Sequence, residues 1–369
     1  MKILVTGSRG FIGKNLVLAC RELNHEVVEI FRDTSEVDMI EGLRVSDAVV
    51  HLAGINRPND IKEFHEGNVE LTKKLCDTIL RIGRKIPIIY SSSVQANLDN
   101  PYGKSKFNAE KVISDYAAET KALTKIYRFP NVFGKWSKPN YNSAVATFCH
   151  SIANDKAYTV HDRNMPLTLI YIDDVVNVLI KAVLASMNGG SFPEIDQHVY
   201  STSVGDVSDI LEGFKLFPQT LEIGRVGNGL IRALYSTYIS FLPPSKFSLK
   251  VKKYADARGD FVEMLKTSDA GQFSYFTALC GVTRGGHYHH TKTEKFLVIS
   301  GKAEFRFRNI LTNEKYTLIT DGNVPEIVDT IPGWAHDITN IGDDKLVVML
   351  WANEIFNRDL PDTISAELI

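Results

Sequence analysis

The sequence predicts a doubly wound parallel α/β sheet followed by a second, all-β domain built as a barrel or sandwich. Three observations carry this expectation. From Lys2 to about Leu184, short β-rich runs alternate with helical patterns, the signature of a parallel sheet wound with helices. That alternation stops at Pro243-Pro244. Beyond it, short runs separated by Gly, Asn and Asp recur with few helical stretches, as in antiparallel barrels and sandwiches. The expected division is therefore 1–243 and 244–369. A chain of 369 residues exceeds one ordinary domain, and 44% hydrophobic with 23% charged residues supplies two cores and excludes a disordered chain.

In order, the first half offers strand runs at Ile3-Leu4-Val5, Val27 to Phe31, Ala48 to Leu52, Ile86 to Tyr90 and Thr124 to Arg128. Helical spacing marks Ile61 to Ile82 and Lys104 to Glu119. The second half offers Phe273 to Cys280, Lys295 to Ile299, Ala303 to Arg308, Tyr316 to Ile319 and Lys345 to Trp351. Forty-two basic against 44 acidic residues give a net charge of −2, which excludes a general nucleic-acid or anionic-membrane binder. Four dispersed cysteines without a CxxC pair fit a reducing cytoplasm. The segment MKILVTGSRGFIG reads as a first strand, not a signal peptide, and Gly229 to Leu242 is interrupted by Arg232 and too short to span. A cytoplasmic location without membrane insertion is expected.

Gly7, Gly10 and Gly13 form GxxGxxG between the first strand and a helix. Glycines there allow a tight turn and let backbone approach a pyrophosphate on the helix N-terminus. Tyr102 and Lys106 are four apart, on one face of a helix, where an ammonium favours the phenolate and prepares a proton donor. Tyr90-Ser91-Ser92-Ser93 ends the strand upstream and offers hydroxyls to the same carbonyl. Together these resemble the extended short-chain dehydrogenase/reductase family over roughly residues 1 to 240. TGSRGFIG is similar to its fingerprint, HLAG (His51 to Gly54) to its third-strand signature, and YGKSK to its active site. RFPNVFG (Arg128 to Gly134) and YIDDV (Tyr171 to Val175) are similar to two later segments. The resemblance implies Tyr102 as proton donor, Lys106 as ribose ligand, Ser93 (with Ser92 as the alternative) as the serine that positions the carbonyl, and Asn131 on the substrate. It also implies cofactor contacts from Gly7, Gly10, Phe11, Ile12, Gly13, Leu52, Ala53 and Gly54. Asn68 matches either the family's helix asparagine or a surface polar residue.

Charge argues for the cofactor. Where NAD-preferring members carry an acid after the second strand, this chain has Phe31 followed by Arg32, and Arg9 lies inside the glycine loop. Two guanidinium groups suit a 2′-phosphate, so NADPH is expected.

Gly281-x5-His287-x-His289-x4-Glu294-x6-Gly301 resembles the first motif of the cupin family, and Pro332-Gly333-Trp334-Ala335-His336 with Asn340 its second, with the proline displaced to adjoin the glycine. Alternation places His287 and His289 on one strand face. With Glu294 and His336 they make a donor set that suits Zn, Fe, Mn, Ni or Cu without choosing among them; one such ion is expected, with zinc favoured, and a strand ending there lets His290 bind in place of His287. Arg284-Gly285-Gly286-His287-Tyr288 resembles nucleotide-sugar 3,5-epimerases and 3,4-ketoisomerases. That likeness implies His287 as the base beside a ketone, Lys295 as the enolate partner and Arg284 on phosphate or sugar oxygens.

The fusion as a whole is similar to the CapF family of capsular-polysaccharide enzymes. The resemblance implies a UDP-4-ketosugar substrate, C3 epimerisation in the second domain, C4 reduction in the first and UDP-2-acetamido-2,6-dideoxy-β-L-talose as product. A homodimer is expected from cupin relatives. The competing readings are a cupin dioxygenase, or a cupin acting only as a sensor or dimerisation module.

Overall fold

The computed structural model describes residues 1–256, 259–262, 264–265, 267, 271–354 and 359–368. Its packing forms two units. One comprises residues 1–133, 140–143 and 166–202, the other 134–139, 144–165 and 203–369.

The first unit runs β1 (Lys2–Thr6), α1 (Phe11–Glu22), β2 (Glu26–Ile30), α2 (Glu36–Val45), β3 (Ala48–His51), α3 (Lys62–Phe64), α4 (Leu71–Arg81), β4 (Ile88–Ser93), α5 (Pro101–Thr120), β5 (Thr124–Phe129) and β6 (Asn131–Phe133). Strands β1 to β5 form one parallel sheet in the order β2-β1-β3-β4-β5. The chain leaves β1 for β2 on one side and returns to β3 on the other, which opens the switch-point crevice where such sheets bind ligands. All four residues of β3 are buried, as a strand covered on both faces requires. One covering layer is α2, α4 and α5. Met39, Leu43, Leu75, Cys76, Ile79, Ala109, Ile113 and Tyr116 pack there against Leu4, Val49, Ile88 and Tyr90. Helix α5 starts earlier than its apolar spacing suggests, because the Asn100 side chain caps the Gly103 N–H and Pro101 supplies a pre-set first turn. Between α3 and α4, His65–Glu70 form a π-helical turn in place of the continuous helix expected from Ile61 to Ile82.

Helix α6 (Ala144–Ala153) belongs to the second unit. It is followed by β7 (Pro166–Tyr171), α7 (Ile172–Asn188) and β8 (Val199–Ser203), which lie in the first unit apart from Ser203. Strands β6, β7 and β8 make a small separate sheet.

In the second unit, α8 (Val204–Lys215), α9 (Phe217–Thr220) and α10 (Gly229–Ile239) precede the strands, and α6, α8 and α10 pack on one another. Ser236 on α10 donates to the Thr291 carbonyl at 2.8 Å, and Lys246 donates to the Ala153 carbonyl at 2.8 Å. Residues 203–243 therefore pack with the C-terminal strands. No helix among the described residues is long and apolar enough to cross a membrane.

The strands are β9 (Ser248–Lys250), β10 (Lys253–Asp256), β11 (Gly259–Val262), β12 (Gln272–Ala278), β13 (Thr283–Tyr288), β14 (Glu294–Ser300), β15 (Lys302–Asn309), β16 (Lys315–Asp321), β17 (Glu326–Asp329), β18 (Trp334–Asn340), β19 (Leu346–Ala352) and β20 (Ile364–Ser365). Two five-stranded sheets result, ordered β12-β19-β14-β17-β9 and β16-β15-β18-β13-β20, and β10 pairs with β11. Pairings within both sheets are antiparallel. Phe296 of β14 meets Phe305 of β15 at 5.8 Å between ring centroids, so the sheets share an interior. Along β15, Ala303, Phe305, Phe307 and Asn309 are buried and alternate with more accessible residues.

Candidate functional site

The glycine loop is built for close approach. Gly7 has a φ of +67°, and a Cβ on Gly13 would stand 2.1 Å from the Gly7 carbonyl oxygen. The N-terminus of α1 carries no side-chain cap and no acid in its first turn. Its N–H groups and dipole are left for an anion. The buried Ser8 Oγ in this loop has no hydrogen-bond partner, an orphan that a bound phosphate oxygen satisfies. The N–H groups of Leu52 and Ala53 both donate to Thr6 Oγ1 at 3.1 Å, which fixes the wall opposite Gly7. Arg9 lies over the Phe31 ring at 3.5 Å, so the two residues expected at the adenosine end form one cation–π stack, and Arg32 is exposed beside it. Phe11 and Ile12 open α1.

At the end of β4 the three serines part company. Ser92 Oγ donates to Glu110 Oε1 at 2.5 Å, and Arg128 holds the same carboxylate with two bonds of 2.9 and 2.6 Å. Ser91 turns its carbonyl to Lys106 Nζ at 2.7 Å. The Ser93 side chain is near enough to the Tyr102 phenol to favour its charged form. Of the two hydroxyls left open by sequence, Ser93 is the one beside the phenol.

Burial raises the Tyr102 phenol above its usual value, and the nearby Ser93 side chain offsets part of this. The expected lowering by Lys106 does not dominate. Lys106 is itself buried and lies 4.5 Å from the Tyr90 ring; burial pulls its ammonium down to about 7, with the Glu110 carboxylate opposing. His51 of HLAG is structural: it bridges Thr6 and Thr72 at 2.7 and 2.9 Å, and burial with the Lys106 charge holds it down at about 3. Asn68, which sequence left undecided, is buried on the π-turn. Its amide accepts from Ile55 N at 2.8 Å and donates to the Ile55 carbonyl and to Ser105 Oγ, both at 2.9 Å. It closes the loop after Gly54, one helical position from Lys106. Asn131 is exposed and donates to the Thr168 carbonyl at 3.1 Å.

In the second unit His287, His289, Glu294 and His336 each present a donor atom, all within 4.8 Å of one another. His287 and His289 come from β13 and the loop after it, His336 from β18 of the same sheet, and Glu294 from β14 of the facing sheet. A β-bulge between Gly285 and His287 redirects β13, and both glycines have positive φ, +104° and +77°. The His289 Nδ1 contacts the Asp362 carbonyl oxygen, which can only accept. In the neutral ring, Nε2 therefore faces Glu294 Oε2 at 3.1 Å as a second acceptor. Two acceptors at that distance need a cation or an added proton between them. His336 Nε2 is buried 3.6 Å from the same oxygen and has no hydrogen-bond partner. Burial pushes the Glu294 carboxyl up, but its contacts with His289 and His336 and the Lys292 charge outweigh that and hold it well below the ordinary range. His287 is the half-buried member, lowered to about 4 by burial and by its histidine neighbours. His290 stays outside this group, with its ring against Tyr288 at 5.5 Å.

Lys295 is not brought to the cluster. Glu294 and Phe296 take the interior face of β14, the latter 6.3 Å from His336, and alternation turns Lys295 to the other side. There it is ion-paired with Asp329 and lies 4.1 Å from the Phe217 ring. The lysine that reaches the cluster is Lys292, whose Nζ is 2.6 Å from Glu294 Oε1. Arg284 is exposed, donates to the Thr277 carbonyl at 3.2 Å and lies over Phe276.

The sequence pattern of the NAD dependent epimerase/dehydratase family matches residues 3–195, just over half of the chain, and that of the polysaccharide biosynthesis C-terminal domain matches 254–364. A UDP-2-acetamido-2,6-beta-L-arabino-hexul-4-ose reductase from Pseudomonas aeruginosa is 51% identical, covering 100% of this chain and 99% of its own. The crystal structure of the capsular polysaccharide assembling protein CapF from Staphylococcus aureus matches all of both chains at 40% identity and a TM-score of 0.66. A UDP-glucuronic acid 4-epimerase from Bacillus cereus, 22% identical with a TM-score of 0.50, shares the fold over 58% of this chain and 82% of its own. On the matched pattern and the full-length relatives alike, the chain belongs to the NAD dependent epimerase/dehydratase family.

Proposed function

We propose that the chain is a bifunctional nucleotide-sugar enzyme that epimerises C3 of a UDP-2-acetamido-2,6-dideoxy-4-ketohexose and then reduces C4. The observation that carries the reading is the presence of two separate, chemically complementary sites on one chain: a Ser93–Tyr102–Lys106 set beside a dinucleotide loop, and a buried His/Glu cluster on a β fold read as a cupin barrel. Supporting it are the full-length likeness to a 4-ketosugar reductase and to CapF.

In the first site NADPH supplies the two-electron reduction at C4 when bound. The glycine loop and the bare N-terminus of α1 would hold its pyrophosphate, and Arg9 and Arg32 would meet the 2′-phosphate. Tyr102 gives its hydroxyl proton to the developing C4 alkoxide, Ser93 donates to the same oxygen, and Lys106 binds ribose and supports the phenolate left behind.

In the second site His289, Glu294 and His336 fit a divalent ion, for which zinc suits the imidazole and carboxylate donors. Such an ion would supply Lewis-acid charge to the site. His287, neutral and the most accessible of the four, takes the C3 proton on one face, and the enolate regains a proton from solvent on its opposite face, which inverts C3. Lys292, in the place first assigned to Lys295, adds its ammonium beside the enolate oxygen. Reduction destroys the ketone that acidifies C3, so epimerisation comes first and reduction draws the equilibrium forward. The product is then UDP-2-acetamido-2,6-dideoxy-β-L-talose, and a homodimer is the proposed assembly.

A second role for His287, as fourth metal ligand, is favoured by its place within the 4.8 Å group. One experiment addresses both readings: incubation of wild type and His287→Asn with the UDP-4-ketosugar in deuterated water, with and without NADPH, and with metal content measured on the same preparations. Deuterium enters C3 in the wild type without NADPH. Full metal with lost exchange in the variant identifies the base, and lost metal identifies the ligand. A wild type without C3 exchange ends the epimerase reading.

A further inference from the structure

One heavily hydrogen-bonded side chain beside the cluster is not one of its donors. Asp362 lies in the C-terminal segment, some seventy positions beyond His287 and His289. Its Oδ1 accepts the His290 N–H at 2.8 Å; its Oδ2 accepts the N–H groups of Thr291 and Lys292, both at 2.7 Å, and the Thr291 hydroxyl at 3.0 Å. Its own backbone carbonyl receives His289 Nδ1. One residue thus contacts four consecutive positions, 289 to 292, that link a cluster histidine to the cluster lysine.

The segment around it is fixed on the strand bearing His287. Strand β20 pairs with β13, with Ser365 opposite His287 and Ile364 opposite Tyr288. Ala366 N donates to the Gly286 carbonyl at 2.9 Å, and Arg308 Nε donates to the Glu367 carbonyl at 2.8 Å. The loop 290–292 is also tied from the other side, where Ser236 and Asn353 reach the Thr291 carbonyl at 2.8 and 3.3 Å. Three convergent N–H groups are a nest that only an anionic acceptor fills well.

We propose that Asp362 is a positioning residue for the metal cluster, fixing the His289 tautomer through its carbonyl and the Lys292–Glu294 contact through its carboxylate. The proposal deepens the metal reading above and rests on it. His289 Nδ1 is committed to a carbonyl, so Nε2 presents its lone pair to the ion. Lys292 N is held, so its ammonium stays on Glu294 Oε1 and leaves Oε2 for the ion. Outer partners of this kind change metal affinity by about 10- to 100-fold.

The test is zinc titration of the metal-stripped full chain, comparing wild type with Asp362→Asn and Asp362→Ala. The asparagine amide places N–H against N–H in the nest and keeps the backbone carbonyl; alanine removes the acceptor outright. Both variants are expected to bind zinc about 10- to 100-fold more weakly, with excess zinc restoring C3 deuterium exchange in Asp362→Asn. Circular dichroism and thermal unfolding of the same samples report whether the second unit, which carries Asp362, has folded. A wild type that takes up no zinc overturns the metal reading and this inference with it. A wild type that binds zinc and an Asp362→Asn chain that binds it equally well overturn this inference alone. Lost exchange that excess zinc does not restore also counts against it.

Discussion

Ser92 and Ser93 are adjacent, chemically identical and placed in different machinery, so exchanging each for alanine separates catalysis from stability. Ser92→Ala removes a 2.5 Å bond to the buried Glu110 carboxylate, which keeps its two bonds from Arg128. A hydrogen bond to a charged group contributes about 1.5–3 kcal/mol, and the lone pair left behind is out of reach of water. The expected result is a loss of folding stability of about 2 kcal/mol, read by urea unfolding, with NADPH-dependent turnover within about threefold of wild type on the scale where 1.4 kcal/mol is a factor of ten. Ser93→Ala removes the hydroxyl beside Tyr102, together with a 3.2 Å cap on Gln95 N at a partly accessible site. Its stability loss is expected near 1 kcal/mol, while turnover drops about a hundredfold to a thousandfold, the usual effect of losing one donor to a developing oxyanion. Turnover is followed by NADPH absorbance with the ketosugar in excess. A Ser92→Ala enzyme that loses more turnover than Ser93→Ala refutes the assignment.

Two further outcomes are expected. Arg9→Ala combined with Arg32→Ala should weaken NADPH far more than NADH in direct binding titrations; equal losses mean that the Arg9–Phe31 stack does not meet a 2′-phosphate. Lys106 is held down at about 7 against an ordinary lysine value of 10.5, so the folded state disfavours its charged form. Below pH 7 both folded and unfolded chains carry the proton and the full penalty applies; between pH 7 and 10.5 the unfolded chain binds more protons, and stability gained with rising pH removes the penalty. Lys106→Met should therefore raise the melting temperature of cofactor-free protein most at or below pH 7, with the gain shrinking towards pH 10, while abolishing reduction. A gain that grows with pH contradicts the buried-charge account.

The parallel sheet was legible because its strands are short apolar runs separated by helices with regular spacing. The glycine loop, Tyr102, Lys106 and the four clustered donors follow from motif spacing over short distances. Lys295 shows where a family pattern and elementary geometry conflict. Period-two alternation separates it from Glu294, and the structure follows the alternation. Every residue from Glu294 to Val298 is buried, so this strand carries no apolar–polar rhythm to mark its interior face. Lys292 lies in a loop, where periodicity says nothing, and Asp362 is joined to the cluster only by tertiary folding. Residues 203–243 read as part of the first half because their helices continue its pattern; their apolar faces are covered within the second unit. Ser92 and Ser93 were inseparable by type, and their partners Glu110 and Tyr102 lie on a helix whose rotation only the fold fixes.

The π-turn at His65–Glu70 makes chain length itself a constraint. One residue corresponds to about 100° of rotation in a regular α-helix. Deleting Val69 or Glu70 favours an unbroken helix, yet Leu75, Cys76 and Ile79 remain anchored in the core. All the rotation then falls on the preceding stretch and swings Asn68 away from Ile55 and Ser105. A shortened chain gains a more regular helix and loses the latch behind Gly54 and Lys106. In recombination or loop-grafting libraries, this six-residue segment has to be transferred at constant length.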